Sequence, residues 1–414
     1  MAESVIIIGA GIIGICTALT LQEKGFQVSV IDRDGPAEGT SFGNAGVISP
    51  WSCVPQALPG IWKNVPKWLL DPEGPLSVKW SYVPRLAPWL LKFFKAGAHD
   101  RLPAIADAML GVNRPSVEMY HQLLKGTGEG GLIKDCNYLH VYRNIDGANP
   151  EDLHWRLRRE RGVPFEVLKG GEVQEVEPDL SPAIKSAMII KQQGRAVNPG
   201  QLGKVLAAKA QALGVKFLRG TVAKIIPEAD GAYEIATDED NHNADWVVLA
   251  AGAWSARLLA PLGVHVPLEA ERGYHLVFKD PGVSLTNSIM DADNKFVASS
   301  MEMGIRSAGT VEFAGLDAAP DYRRARVFER HTKDLLPNLN LGSTEEWMGV
   351  RPSLPDSVPV IGAVPGHPRI ICAFGHGHLG LTGAPMTGRM VTSLVAEEPL
   401  NMDMTPYRLD RFSG

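Results

Sequence analysis

The chain has 414 residues, 45% of them hydrophobic, which supplies ample core material and points to two or three folding units. A formal charge of −5 and a pI near 6.1 leave no electrostatic footprint for nucleic acid. Cys16, Cys53, Cys136 and Cys372 are scattered with no CxxC pair, so they indicate neither a disulfide framework nor a zinc site.

The opening MAESVIIIGAG lacks the basic and long apolar regions of a signal peptide. No run approaches the ~20 apolar residues of a membrane span, and the setting expected is cytoplasmic and reducing. Residues 5–8 form a continuous, mostly β-branched apolar run, as in a strand buried on both faces of a parallel sheet. Gly9-Ala10-Gly11-Ile12-Ile13-Gly14 follows, then a helical stretch to Lys24, Gly25 at its C-terminus, and FQVSVI as a second strand ending at Asp32. Each part fits dinucleotide binding: Gly9 for the tight turn, Gly11 for backbone approach to a pyrophosphate, Gly14 for helix-on-strand packing. The helix N-terminus would face the phosphates with free N–H groups. Asp32 would accept hydrogen bonds from an adenosine ribose and repel a 2′-phosphate, favouring FAD or NAD over NADP, although Arg33 beside it counts against that last distinction.

Residues 50–95 interleave Trp51, Trp62, Trp68, Trp80 and Trp89 with Lys63, Lys67, Lys79, Arg85, Lys92 and Lys95, opposed only by Asp71 and Glu73. Two readings stand: aromatics that pack on the body of the protein, or a basic, aromatic surface that rests on an anionic membrane near a quinone pool. Asn198-Pro199 predicts a cap and first turn for a helix over 200–213, closed by Gly214. VKFL, TVAKII and YEIAT read as strands of a hairpin-rich segment, and WVVLAAGAWS as a buried strand running into small residues. Ala250, Ala251, Gly252 and Ala253 suit either close approach to a bulky ligand or packing of a turn on a helix. Beyond Pro261, the strand-like GYHLVF, the polar DADNKF and the helix-like YRRARVFERHTKDLL suggest a second unit of sheet and helices.

Residues 370–373 are a further strand candidate, followed by Gly375-His376-Gly377-His378-Leu379-Gly380 and a helix from about 381 toward 397. One phosphate loop suffices for NAD. A second helix N-terminus suits a cofactor that carries negative charge at both ends, as a reduced flavin does around N1 and its C2 carbonyl.

GAGIIG, SFGNAG (41–46), LAAGAWS, MGVRPSLPDSVPVIG (348–362) and GHGHLGLT, in this order over nearly the whole chain, resemble the D-amino-acid oxidase superfamily of FAD enzymes. With PKWLLDPEGPL, the chain is most similar to the small-subunit type of the bacterial D-amino-acid dehydrogenases. The resemblance implies noncovalent FAD in a Rossmann-like α/β domain of the second glutathione-reductase type, and an α+β substrate domain whose mixed, largely antiparallel sheet covers the flavin. The expected FAD domain is discontinuous, 1–80, 196–260 and 346–414, with 81–195 and 261–345 forming the substrate domain. Implied cofactor contacts are Gly9, Gly11, Ile12, Ile13, Gly14, Asp32 and Arg33, then Ser41, Asn44, Ala45, Gly46, Val47 and Val222. Ala251, Gly252 and Trp254 join them, with Gly375, Gly377, His378, Leu379, Gly380, Leu381 and Thr382 at the tail turn.

The resemblance makes Arg351 the substrate carboxylate clamp, a role for which two parallel N–H donors are suited. Tyr274 and His275 alternate on a strand, so one faces the flavin, and Tyr274 is taken for a second carboxylate or amine contact. His376 and His378 are candidates for cofactor hydrogen bonding or proton transfer, against a solvated loop position. No Ser/His/Asp or metal constellation is evident. The expected reaction is FAD-dependent oxidation of a D-amino acid or cyclic imino acid such as a proline derivative. Hydride leaves Cα for flavin N5 and gives an imine, then a 2-oxo acid and ammonia. Electrons pass to a quinone, a partner subunit or oxygen. Alternatives are N-methyl amino acids or 2-hydroxy acids on the same fold, or a flavin-holding subunit or sensor without chemistry. The location implied is cytoplasmic, with peripheral contact on the inner face of the membrane through 51–95.

Overall fold

The computed structural model describes residues 2–229 and 231–412. Ser4–Ile8 is the hub of a six-stranded sheet in the order Val360–Val364, His367–Phe374, Trp246–Leu249, Ser4–Ile8, Gln27–Asp32, Lys216–Arg219. All neighbours are parallel except the first pair. The unbroken apolar run of the first strand follows from burial on both sides. Val5 and Ile7 face helices through Ile15, Leu19 and Val391, while Ile6 and Ile8 face Ile225 and Ile235 of a three-stranded antiparallel layer over 222–244.

The opening helix is Ile12–Glu23 and the tail helix Gly380–Val395. They lie side by side: a Cβ on Gly388 would sit 2.8 Å from the Cys16 carbonyl, and Thr392 Oγ1 donates to Thr20 Oγ1 at 2.7 Å. Both pairs are 372 positions apart, so the helices are parallel and their N-termini lie at the same end. Pro199–Ala212, capped by the Asn198 side chain on the Gln201 N–H at 3.1 Å, packs against the opening helix.

The second sheet has ten strands. Its main path is Thr344–Ser353, Glu269–Phe278, Gly304–Phe313, Phe296–Met301, Ser288–Asp291, Ile133–Tyr142, Ser186–Ala196, Val47–Ile48, with Leu76–Val78 and Phe165–Lys169 beside the path. Its pairings are mostly antiparallel. Helix Arg323–Leu335 covers one face through Phe328 and Leu335.

The division into layers differs from the expected boundaries. Strand Thr344–Ser353 pairs along its whole length with Glu269–Phe278, so residues 346–353 belong to the larger sheet rather than to the dinucleotide unit. Conversely, the helices Leu102–Asn113 and Ser116–Leu123 contribute Met109, Val112, Tyr120 and Leu123 to the core around the tail helix. Apolar faces, not sequence position, decide which layer each segment joins. The tail helix ends at Val395, two residues short of the expected stop, and Glu397 turns away with φ 53°. In the tryptophan-rich stretch, Trp51 and Trp89 are buried, whereas Trp62 and Trp80 are exposed.

Candidate functional site

The strand-to-helix turn at Gly9 to Gly14 needs its glycines. Gly9 has φ 110° and a Cβ there would lie 2.5 Å from the Ala250 carbonyl, while a Cβ on Gly14 would collide with Gly9 itself. The helix behind has no side-chain cap on its N-cap residue Gly11; Ser41 Oγ reaches in to accept from Ile12 N–H at 2.9 Å. Asp32 Oδ2 accepts from Ala10 N–H at 2.8 Å, and Oδ1 from Asp34 and Gly35 N–H at 2.8 and 3.1 Å. The acid therefore stands at the tip of the second strand, braced against the glycine turn, with acceptor capacity left on Oδ2. Arg33 stacks over Trp254 at 4.1 Å and pairs with Asp34. Val222 sits at the start of the three-stranded layer; Ala251 and Gly252 form the tight turn after Trp246–Leu249. These features fit the adenosine diphosphate half of a dinucleotide: a turn that only glycine fills, an uncapped helix end, and an acid at the neighbouring strand tip.

Six of the remaining predicted contacts border a cavity of about 1160 Å³. Asn44, Ala45 and Val47 line one side, and Gly377, His378 and Leu379 another. Gly46 has φ 77° and its N–H is held by Asn44 Oδ1 at 2.8 Å. Thr382 Oγ1 accepts from Ser49 N–H at 3.2 Å, and Tyr120 donates to the Leu381 carbonyl at 2.6 Å, which seats the first turn of the tail helix. Gly375 has φ 88° and faces Leu354; Gly380 begins the helix, which again has no side-chain cap. With the two helices parallel, two positive helix ends point toward the same region.

Arg351 lies on the cavity wall. Its guanidinium crosses Gly273, where a Cβ would collide with it, and Nη1 donates to Glu271 Oε1 at 2.6 Å and to the Thr310 carbonyl at 3.3 Å. Glu271 Oε2 accepts from Ser353 Oγ at 2.7 Å. Burial alone would raise the Glu271 carboxyl, but Arg351, the Ser353 hydroxyl and His378 outweigh it and hold it below its ordinary value. On the same face of strand Thr344–Ser353 as Arg351, Trp347 also lines the cavity, wedged between Gly43 and Gly349, neither of which has room for a Cβ. His275 stacks on its indole at 5.0 Å.

The structure does not bring all the expected polar groups to the cavity in usable form. Tyr274 lines it, but its hydroxyl donates to Glu312 Oε2 at 2.7 Å and accepts from Asp321 N–H at 2.9 Å, so a second substrate contact through that hydroxyl is displaced by internal partners. Burial and Glu312 push its pKa up to about 12. His376 turns away from the cavity. Its Nε2 donates to Thr387 Oγ1 at 2.8 Å, since that hydroxyl itself donates to the Gly383 carbonyl, and burial lowers its pKa to about 3. There it braces the tail helix. His378 stands exposed at the cavity edge, 3.3 Å from Gln56 Nε2.

Several residues that shape the site are absent from the sequence reading. Glu271 is one: only the fold shows that Glu269–Phe278 is buried at all ten positions while holding Glu269, Glu271, Arg272 and His275. Arg306 donates to the Asn44 and Phe42 carbonyls at 2.7 and 3.3 Å, and Thr40 Oγ1 donates to the Val350 carbonyl at 2.8 Å. Both tie the 40–46 loop to the larger sheet, a long-range contact that no local pattern announces.

The family model described as FAD dependent oxidoreductase (DAO) matches residues 4–394. A D-amino-acid oxidase of Bradyrhizobium diazoefficiens is 36% identical over 415 residues, covering 99% of this chain and 98% of its own. A D-amino acid dehydrogenase of the same organism is 31% identical over 420 residues, 99% of each. The crystal structure of glycine oxidase from Geobacillus kaustophilus superposes with a TM-score of 0.74 at 21% identity, covering 100% of both chains.

Proposed function

The chain belongs to the DAO family of FAD-dependent oxidoreductases, and from that premise we propose that it oxidises a D-amino acid, primary or cyclic, at Cα, with Arg351 holding the substrate carboxylate. The observation that carries this reading is the set of Arg351: one edge of the guanidinium is tied to Glu271 and Thr310, and the group lies over glycine on the wall of the large cavity. The D configuration and the amino-acid class are supported by the names of the two full-length relatives.

The residues fit FAD. The turn at Gly9, Gly11 and Gly14, with the Ile13 N–H and with Ile12 beside its Ser41 partner, would hold the diphosphate, and Asp32 the ribose. Ser41 to Val47 and the turn from Gly377 to Thr382 would hold the ring. Bound FAD supplies the two-electron acceptor. The protein's own part is positioning: Arg351 fixes the carboxylate, Trp347 walls off solvent, and the paired helix ends favour negative charge nearby. With the Tyr274 hydroxyl occupied and His376 buried and neutral, the substrate amine arrives already deprotonated and water takes the released proton. His378 serves the cofactor edge.

The test is anaerobic mixing of the FAD-loaded protein with D-amino acids, prolines, N-methyl amino acids and 2-hydroxy acids. Bleaching of the flavin band by D-amino acids or prolines is the result expected; bleaching by none of them overturns the reading, and bleaching only by N-methyl amines or hydroxy acids reassigns the substrate.

For the acceptor, we propose a membrane quinone reached through the 61–95 face. Trp62, Leu70, Trp80 and Leu91 are 59, 83, 82 and 72% exposed, interleaved with Lys63, Lys67, Lys79, Lys92 and Lys95. No helix among the described residues is long and apolar enough to cross a membrane, so the contact would be peripheral. Flotation with anionic but not neutral liposomes is expected; peroxide release at a rate matching turnover would instead make oxygen the acceptor.

A further inference from the structure

At the end of the cavity remote from Arg351, a buried guanidinium stands without a carboxylate against it. Arg158, on helix Leu153–Glu160, lines the cavity and is only 9% exposed. It stacks over Trp155 at 4.6 Å and donates from Nη1 to the His154 carbonyl at 3.2 Å, and its Nε has no hydrogen-bond partner among the described residues. Burial lowers its pKa, and the groups that push back are Cys53, Tyr142 and Tyr138, none of them an acid carrying charge at neutral pH. His140 lines the same wall, and its Nε2 is likewise without a partner. Lys295 reaches the cavity from the turn after Ser288–Asp291. The acids nearest Lys295 are already engaged: Asp291 takes two hydrogen bonds from Arg143 at 2.9 Å each, and Asp293 pairs with the same arginine at 3.4 Å.

Of the acids that also border the cavity, Asp71 accepts the Glu73 N–H at 3.0 Å and acts on Arg324, not on Arg158, and the other three are ion-paired. Glu271 is paired with Arg351, Asp321 with Arg323, and Glu73 with Arg330. A buried guanidinium without a counter-charge is costly in a protein interior, and such a group is kept where a ligand supplies the missing charge.

We propose that Arg158, His140 and Lys295 form a carboxylate-binding subsite, and that the substrate is an amino acid carrying a second carboxylate at the end of an extended arm. The inference rests on Arg351 as the clamp for the first carboxylate. The Arg351 head reaches as far as Thr310 on strand Gly304–Phe313, and from there to the strand bearing His140 are three strand spacings, Gly304–Phe313 to Phe296–Met301 to Ser288–Asp291 to Ile133–Tyr142. At ~4.8 Å per spacing the backbones are roughly 14 Å apart. Val297 and Met290 form the apolar floor between, suited to a methylene arm. The side chains of Arg158 and Lys295 shorten the gap, but it still favours an arm longer than that of aspartate or glutamate.

The experiment uses the FAD-loaded protein and a matched pair, D-2-aminooctanoate and D-2-aminosuberate, which differ by a terminal carboxylate on arms of similar length. Anaerobic flavin reduction is followed in the unaltered protein, in Arg158→Met, and in Lys295→Met, which keeps the test open where loss of a buried arginine prevents folding. A preference for the diacid of tenfold or more in apparent Kd, falling at least tenfold in the variants while the limiting reduction rate holds, is the result expected. Calorimetric titration with free hexanoate separates the sources of the anion. Binding that weakens tenfold in the variants, without any diacid preference, keeps the subsite and assigns it to a separate organic acid. Equal behaviour of all three proteins toward both amino acids and hexanoate overturns the proposal. Should no amino acid reduce the flavin while hexanoate still distinguishes the variants, the proposed reaction fails and the subsite stands.

Discussion

Arg351 and Glu271 set the terms at the residue scale. Arg351→Met removes both donors to the substrate carboxylate, and KM is expected to rise about 100-fold, equivalent to about 2.7 kcal/mol, whereas Arg351→Lys, with a point charge in place of a fork, costs about tenfold. Steady-state kinetics on the best substrate checks both. Glu271→Gln leaves the guanidinium without its counter-charge, at a cost of about 3 kcal/mol, the low end for a buried pair because Arg351 borders the cavity. A bound carboxylate then takes over that role. The rise in unfolding temperature on adding a non-oxidisable acid such as butyrate should therefore be larger in Glu271→Gln than in the unaltered protein. The motif around Arg351 was legible in the sequence, because GVRP has a recognisable neighbourhood. Its partner was not, because a glutamate in EAERGYHLVF acquires meaning only when the register sets Glu271 opposite Arg351.

Among the elements, the strand Glu269–Phe278 and the tail helix carry the site. Gly273 is the floor on which the guanidinium lies, so Gly273→Ala should displace Arg351 and raise KM tenfold or more with FAD content unchanged, measured by kinetics and by the flavin absorbance of the purified protein. The start of the tail helix depends on His376, which stays neutral in the folded state. Its pKa of about 3, and that of His275, also about 3, lie below the ordinary value near 6.5, so the unfolded chain binds more protons. The stability they contribute is complete above about pH 6.5 and is lost as pH falls toward 3. The unfolding temperature should drop across that window, and His376→Asn should flatten the slope while costing about 1–3 kcal/mol at neutral pH. Strands and helices with strong apolar runs or caps, such as Ser4–Ile8 and Pro199–Ala212, were readable from local pattern. The histidine pair was not separable that way: His376 and His378 are two positions apart in the same loop, and only the packing of Thr387 against one of them divides a brace from a cavity residue.

Across the whole molecule, the opening and closing glycine turns belong to one assembly because the helices that follow them are parallel neighbours. Gly388→Val would force them apart at Cys16, costing about 1–3 kcal/mol by overpacking, and should lower FAD occupancy as well as stability, read by flavin absorbance and thermal unfolding. The ordered motifs made the two-layer architecture foreseeable. The layer boundaries were not, since strand Thr344–Ser353 and helices Leu102–Asn113 and Ser116–Leu123 are assigned by the faces they bury. The strand Ser4–Ile8 finds one neighbour at Trp246–Leu249, and that strand in turn waits for His367–Phe374. During synthesis, then, the strand Ser4–Ile8 has Gln27–Asp32 beside it early but lacks its other neighbour until Trp246–Leu249 has been made. Pigment can be captured only once the segment from residue 367 through the tail helix has emerged, and a nascent chain halted before residue 367 should stay colourless however much flavin surrounds it.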